Sequence, residues 1–358
     1  MITNLARFTL FPVLLLAGYA PVYAGEQIVP AVDEPIQPVP VDSQLDENRV
    51  ALGSLLFNDP RLSRDNSLSC ASCHHLESGG DDGLPTGIAL GGNTHTINTP
   101  TVFNARFNFR QLWNGSAESL EQQVDHAVHS RMEAGSNWDE LLTKLSKDPT
   151  LVRKFDEIYR DGITRANYLD ALTEFEKSLV TPNSRFDQYL LGDNGAISDD
   201  EKKGYQRFKE LGCISCHQGI NVGGNLFQKF GIFYDYLAER GGITEADLGR
   251  INSTGREADK YVFKVPTLRN VEVTAPYLHD GRAGTLEQAI AIMGRTQTGK
   301  TLGDQDIALI AGFLKTLTGE YKGKPLARRS GTSDPGAGLS DTADSDRSGP
   351  GRNGRERS

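Results

Sequence analysis

The chain has 358 residues, of which 37% are hydrophobic and 24% are charged, and its formal net charge is -9. This length suffices for two ordinary globular domains, and the polar composition excludes a polytopic membrane protein. The acidic balance argues against a nucleic-acid-binding protein, which needs a basic surface.

The two ends of the chain differ in composition from its middle. Arg7 precedes an apolar run over residues 8–19, and Ala24 stands where a cleavage site needs a small residue. Residues 1–24 are therefore predicted to be a secretory signal peptide, which places the mature protein in the periplasm without stable membrane insertion. An uncleaved anchor is the alternative, but the run is shorter than the roughly 20 residues that span a bilayer. Residues 326–358 are poor in apolar side chains and are predicted to be a disordered tail.

Between the ends, apolar residues recur at helical spacing and strand signals are sparse. The predicted helices, in chain order, cover residues 45–57, a segment from 118, 151–159, 164–180, 199–211, 286–293 and 304–317. Ser198 with Glu201, and Thr285 with Gln288, have the spacing of capping boxes at helix starts. The best strand signal covers residues 261–265. The expected fold class is all-α with little β-structure.

All four cysteines lie in two copies of one motif, Cys70-Ala-Ser-Cys73-His74 and Cys213-Ile-Ser-Cys216-His217. C-x-x-C-H is the attachment signature of c-type haem, in which the thiols form thioethers with the haem vinyl groups and the histidine ligates iron. Two disulfides, or one zinc site built from both cysteine pairs, are the alternatives. Zinc sites do not require a histidine after each pair, and c-type haem is attached outside the cytoplasm. The motifs therefore favour two covalently bound c-type haems and redox chemistry.

Each haem motif is expected to serve its own cytochrome c-like domain. Residues 25–182 are predicted to form an N-terminal haem domain, and residues 183–325 a C-terminal haem domain. Each iron already has a proximal histidine, so function depends on the sixth ligand. Met293 follows the second motif at the end of a predicted helix, and a thioether ligand raises a haem reduction potential. A packed core methionine is the alternative interpretation of this residue.

Six segments together resemble, in the same order, the bacterial dihaem cytochrome c peroxidases. They are Cys70–His74, Asn98–Asn104, Leu112–Gly115, Cys213–His217, Val265–Asn270 and Thr274–Gly281. The resemblance runs over residues 45–317. It implies a low-potential haem on His74 where hydrogen peroxide is split, and a high-potential haem on His217 and Met293 where electrons enter.

The resemblance also implies roles for three side chains near the first haem. Trp113 matches a tryptophan that lies between the two haems, and Gln123 and Glu133 match residues of the peroxide pocket. Cleavage of the O–O bond needs a group that moves a proton between the two oxygens. A buried carboxyl such as Glu133 is suited to this transfer, whereas the amide of Gln123 can only orient peroxide. The alternative interpretation of Gln123 and Glu133 is that both are solvent-exposed helix residues. The alternative interpretation of Trp113 is that it is a core aromatic residue.

A calcium ion is the third cofactor that the resemblance implies. Asn98, together with the backbone carbonyls of Thr274 and Pro276, matches a calcium site at the domain interface. Oxygen ligands of this kind suit a hard cation. His279, in the last motif, is expected to support the C-terminal haem region without ligating iron.

The sequence departs from the family pattern at one position. Many relatives have a distal histidine eight residues before the asparagine that corresponds to Asn98, and Leu90 stands there in this chain. Because leucine cannot ligate iron, the chain is identified as a variant whose peroxidatic haem is open without reductive activation. His95 could fill the position if the loop shifts. His126 and His129, three residues apart, are interpreted as surface histidines and not as a metal site.

These observations predict a dihaem peroxidase that reduces hydrogen peroxide to water with electrons from a small c-type cytochrome or a cupredoxin. The resemblance also makes a homodimer an expectation. A MauG-like enzyme that oxidises a side chain of a partner protein is the first alternative, although those enzymes have a tyrosine where Met293 stands. A dihaem electron carrier without catalysis is the second alternative. It requires two six-coordinate irons, and Leu90 argues against that.

Overall fold

The computed structural model describes residues 34–41 and 44–328. The predicted signal peptide and residues 329–358 of the predicted tail lie outside the described residues. The helices are α1 Glu47–Phe57, α2 Leu120–His129, α3 Trp138–Leu145, α4 Pro149–Ile158, α5 Arg165–Ser178, α6 Arg185–Leu190, α7 Asp199–Glu210, α8 Tyr236–Arg240, α9 Ile251–Thr254, α10 Leu286–Gln297 and α11 Asp304–Lys315. Within this part of the chain, no helix combines the length and hydrophobicity that crossing a membrane requires.

The β-structure of the described chain consists of two small antiparallel sheets. The strands are β1 Phe227–Lys229, β2 Val262–Lys264, β3 Glu320–Tyr321 and β4 Lys324–Pro325. Strand β1 pairs with β2, with Gln228 opposite Phe263, and β3 pairs with β4. The expected all-α class with little β-structure is confirmed.

The long helices begin where the sequence supplies capping side chains. Asp148 accepts hydrogen bonds from the first-turn amides of α4, where Pro149 needs no partner for its nitrogen. Ser198 and Thr285 form the expected capping boxes of α7 and α10. Capping depends only on residues within one helical turn, and the structure confirms these predicted helix starts.

The end of α10 differs from the prediction. The sequence suggests a stop at Met293 because Gly294 follows, but the helix continues to Gln297. Gly294 instead serves packing, since a Cβ atom there would lie 2.7 Å from Cγ of Leu302. Met293 therefore lies inside the helix and not at its end.

Two hydrophobic clusters form the main cores of the described chain. The first is built mainly from α1, α2, α4 and α5, and the second from α7, α10 and α11. In each cluster a glycine lets two helices approach closely. A Cβ atom on Gly53 of α1 would lie 2.0 Å from the carbonyl oxygen of Ala171, and one on Gly204 of α7 would lie 2.0 Å from that of Leu309. The predicted domain boundary near Pro182 lies between the main helices of these clusters.

The C-terminal hairpin returns to the first cluster. Tyr321 packs against Phe103 with ring centroids 5.0 Å apart. Leu326, which the sequence places at the start of the predicted tail, is buried in the same cluster and donates its amide to the carbonyl of Gly319. Packed structure therefore extends through Leu326. The sequence does not indicate this, because the residues that follow Leu326 are polar.

A buried ion pair ties four segments together, three from the second half of the chain and one from near its N-terminus. Arg269 is 1% exposed, and its Nη1 donates to Oδ1 of Asp187 at 2.7 Å. Its other donors reach Ser184 Oγ and the carbonyls of Gln37 and Ile220. A fully bonded buried guanidinium of this kind fixes the segments it joins.

Replacing Arg269 with methionine is expected to lower the free energy of unfolding by about 3–5 kcal/mol, because the Asp187 carboxylate stays buried without its partner. Arg207→Met is the matched control, since Arg207 pairs with Asp306 at the surface. That variant should lose no more than about 1 kcal/mol. Chemical denaturation of both haem-loaded variants measures the difference, and equal losses would contradict the account of Arg269.

Candidate active site

A cavity of about 550 Å³ lies beside the first C-x-x-C-H motif. Cys70, Cys73 and His74 line one part of it, and residues of α2, of α5 and of the loops at 87–101 and 111–116 complete the wall. The volume lies within the range of cofactor and ligand sites.

His74 has the hydrogen bonding of a metal-ligating histidine. Its Nδ1 lies 3.0 Å from the carbonyl oxygen of Gly80, which can only accept, so Nδ1 carries the proton. Burial lowers the pKa of His74 below its ordinary value and favours the neutral ring. Nε2 is then free to bind a metal, which is the usual arrangement of ligating histidines.

The second motif repeats this arrangement. Nδ1 of His217 lies 3.2 Å from the carbonyl oxygen of Val222, and burial lowers the pKa of His217 to about 4. Cys213 and Cys216 lie on the short turn before it and are not bonded to each other. In both motifs, paired free thiols and a neutral histidine fit the chemistry of c-type haem attachment.

The structure brings Gln123, Glu133 and Trp113 together in the wall of the cavity. Gln123 lies on α2, and Glu133 lies on the turn that follows α2. Burial raises the pKa of Glu133, and the nearby His126 lowers it in part. A carboxyl group with a raised pKa binds and releases its proton closer to neutral pH than an exposed carboxyl group does.

Trp113 joins the cavity to the surroundings of Met293. Its Nε1 donates to the carbonyl of Asn98 at 2.9 Å, and its own carbonyl accepts from the amide of Lys264 at 2.9 Å. Trp113 and Met293 both pack against a small hydrophobic cluster formed by Phe230, Leu237 and Phe263. The tryptophan therefore lines the first motif's cavity and shares a hydrophobic cluster with the methionine predicted to serve the second haem.

The loop before Asn98 presents His95, and not Leu90, to the cavity. The amide of Leu90 donates to the carbonyl of Met132, and its side chain packs at Gly135. His95 lines the cavity, and its Nδ1 accepts from the amide of Ile97 at 3.3 Å. A neutral His95 with this bond carries its proton on Nε2, so binding a metal through Nε2 would require the loss of the hydrogen bond to Ile97.

The two histidines of α2 do not converge. His126 is exposed at the edge of the cavity, whereas Nδ1 of His129 hydrogen-bonds with the carbonyl of Asp125 and its ring faces Trp138. This arrangement agrees with their interpretation as surface histidines.

Comparison with known proteins identifies the family. The family described as "Di-haem cytochrome c peroxidase" matches residues 47–195. The cytochrome c peroxidase Ccp of Escherichia coli (strain K12) is 46% identical over 84% of this chain, which spans 64% of that relative's length. The cytochrome c551 peroxidase of Nitrosomonas europaea is 40% identical over 87% of this chain and 92% of its own. The chain belongs to the dihaem cytochrome c peroxidase family.

A solved structure supports the same fold for this dihaem peroxidase family member. A MauG-like protein associated with microbial copper homeostasis superposes with a TM-score of 0.69 at 27% identity, covering 82% of this chain and 95% of the other. The expectations of a cytochrome c peroxidase class enzyme, and of two haems, are confirmed by the family. Covalent attachment through the four cysteines stays a prediction that the geometry above fits.

The predicted calcium ligands of the dihaem peroxidase lie on separate loops. Asn98 is buried, and its Nδ2 donates to the carbonyl of Leu84 at 2.9 Å. This bond leaves its Oδ1 as the atom suited to a hard cation. Thr274 and Pro276 lie after the short turn at 271–273. The calcium site stays a prediction.

Sequence reasoning missed an ionic network beside Trp113. Nε2 of His279 lies 2.7 Å from Asp247 Oδ1, and Arg240 pairs with both Asp247 and Asp280. Asp247, His279 and Asp280 converge as metal ligands would, but both carboxylates already pair with the guanidinium of Arg240. His279 also packs on Phe263 at 4.6 Å between centroids, so the network holds the aromatic residues around Trp113. Only Asp280 and His279 fell in a recognised motif.

Lys264 is a second missed residue. It is 8% exposed, and burial lowers its pKa to about 8. Among the described residues, burial is the one cause of this pKa shift and no carboxylate opposes it. A buried cation of this kind suits an anionic group, and haem carries propionates.

Proposed function

We propose that this chain is a periplasmic peroxidase that reduces hydrogen peroxide to two waters with two electrons from a small c-type cytochrome or a cupredoxin. The observation that carries the proposal is the cavity in which Gln123, Glu133 and Trp113 meet beside Cys70–His74. The cytochrome c peroxidases at 46% and 40% identity support the same activity. The net charge of -9 suits a basic donor, because opposite charges speed encounter.

The haems held by His74 and by His217 with Met293 would supply the iron at which peroxide is reduced and the iron at which electrons enter. Glu133 takes the proton from one oxygen of peroxide and returns it to the other oxygen, which leaves as water. Gln123 holds peroxide in place through its amide. Trp113 lies on the path between the two centres and shortens the distance that an electron crosses.

The distal position of the first site is proposed to be open in the oxidised protein. Leu90 occupies the position where many relatives have a histidine, and it packs away from the cavity. The hydrogen bond to Nδ1 of His95 makes Nε2 of that ring a donor. Both features support activity that needs no prior reduction.

Oxidation of a partner protein's side chain is the second candidate function. The similarity to the MauG-like protein at 27% identity favours it. Met293, where MauG-like enzymes have a tyrosine, favours the peroxidase, because a thioether ligand suits a one-electron relay. A steady-state assay separates the two: the peroxidase oxidises two reduced cytochromes per peroxide consumed, and turnover without donor oxidation would contradict it.

Met293→His is expected to lower the reduction potential of the high-potential haem by more than about 100 mV, because imidazole stabilises ferric iron better than a thioether does. Potentiometric titration followed by visible spectroscopy measures the change. Met132→Leu is the matched control, since Met132 lines the cavity beside the first motif and its carbonyl accepts from the amide of Leu90. An unchanged potential in Met293→His would refute ligation by Met293.

A further inference from the structure

The cavity wall contains a buried carboxyl that the proposed reaction does not use. Glu176 lies in the last turn of α5 and is 6% exposed. It lines the cavity beside Leu172, one turn earlier on the helix. Its Oε2 has no hydrogen-bond partner within the described part of the chain. A buried carboxylate oxygen without a partner is costly, so its position calls for a functional explanation.

The charged and titratable groups around Glu176 do not neutralise it. Glu121 of α2 adds a negative charge, and Lys177 opposes it in part but pairs with Glu174. Tyr168 of α5 and the Cys70 thiol also lie close enough to feel the charge of Glu176. Burial is the largest effect and raises the pKa of Glu176 to about 8. Glu176 therefore binds and releases its proton at a higher pH than an exposed glutamate does.

We propose that Glu176 is a redox-linked proton site of the first cavity, which gains a proton when that centre gains an electron and loses it when the electron passes to peroxide. The inference rests on the proposed function, since it assumes a haem bound at Cys70–His74. The physical reason is Coulombic, because negative charge added to a buried site raises the proton affinity of a carboxyl in the same cavity.

The proton balance of the reaction gives this site a role. Reduction of one hydrogen peroxide consumes two electrons and two protons and forms two waters. Glu176 takes a proton from solvent on the side of half-buried Glu121 as an electron arrives. The carboxyl O–H bond then breaks as an O–H bond of product water forms. Glu133 moves a proton that is already part of hydrogen peroxide. Glu176 supplies one of the two additional protons that the reduction consumes.

Redox titration of the haem-loaded protein between about pH 6 and about pH 9 tests the proposal without peroxide. In the wild type, the midpoint potential of the first haem should fall with rising pH, by up to about 59 mV for each tenfold change in proton concentration. Glu176→Gln should lose most of this slope. Glu174→Gln is the matched control: Glu174 is similarly buried on α5, but it accepts from the amide of Asp46 and does not line the cavity. It should keep the slope.

A wild-type slope that persists unchanged in Glu176→Gln would overturn the proposal, and so would a wild-type potential independent of pH. If Glu176→Gln fails to take up haem, infrared difference spectra of the wild type provide the test. Reduction should change a protonated-carboxyl band that Glu176→Asp shifts, and no carboxyl change on reduction would overturn the proposal. A protein with the expected slope that does not turn over peroxide would contradict the proposed function alone.

Discussion

Glu133→Gln is expected to lower kcat for peroxide reduction by about a hundredfold to ten-thousandfold, the usual contribution of a positioned general acid–base group. The glutamine side chain fills the same space but cannot carry a proton. The effect should fall on kcat more than on KM for peroxide, because proton transfer belongs to the transition state. Steady-state kinetics at saturating donor measure both constants.

The control for this variant is a carboxyl far from the cavity. Glu157 is exposed on α4, so Glu157→Gln should keep wild-type kinetics. Visible spectra of Glu133→Gln should match the wild type, which shows that the haem environment is intact. Full turnover in Glu133→Gln with an unchanged spectrum would exclude Glu133 as the proton carrier.

Replacing both cysteines of one motif with alanine is expected to reduce covalently bound haem from two per chain to one. The double variants Cys70→Ala/Cys73→Ala and Cys213→Ala/Cys216→Ala should differ in the activity that they retain. The first should lose all peroxide turnover while a donor can still reduce the second haem. The second should lose rapid reduction by the donor, because the entry site is absent.

Mass spectrometry of the intact chain and pyridine haemochrome spectra count the attached haems. Zinc bound jointly by both cysteine pairs predicts a different result, in which either double variant releases the metal and no covalent mass is present in the wild type. Two disulfides predict a wild-type mass without cofactor. Either finding would contradict c-type attachment.

Features that depend on neighbouring residues were predictable from the sequence. The capping boxes at Ser198 and Thr285 need only a side chain three residues away, and the structure contains both. The end of α10 was not predictable, because Gly294 usually terminates a helix and here it packs against Leu302 from a later turn. The burial of Leu326 likewise depends on a core built mainly from the helices of the first half of the chain.

The candidate site likewise contains residues that the sequence predicted and residues that it did not. The C-x-x-C-H motifs and the resemblance named Glu133, Gln123 and Trp113, and the structure places all three around one cavity. No motif marked Glu176, since a glutamate on a helix is normally solvated and its burial here depends on tertiary packing around α5. The partner of His279 was also not predictable, because Asp247 lies 32 residues earlier in the chain and is itself held by Arg240 of α8.

The most direct test of the account is the rate at which hydrogen peroxide oxidises a reduced c-type cytochrome in the presence of this protein. The assay should be started once from fully oxidised protein and once from protein reduced at a single haem. Leu90 and the donor state of His95 predict immediate and equal turnover from both starting states. A strong requirement for prior reduction would contradict an open first site and point to His95 as a ligand, and no turnover from either state would contradict the peroxidase itself.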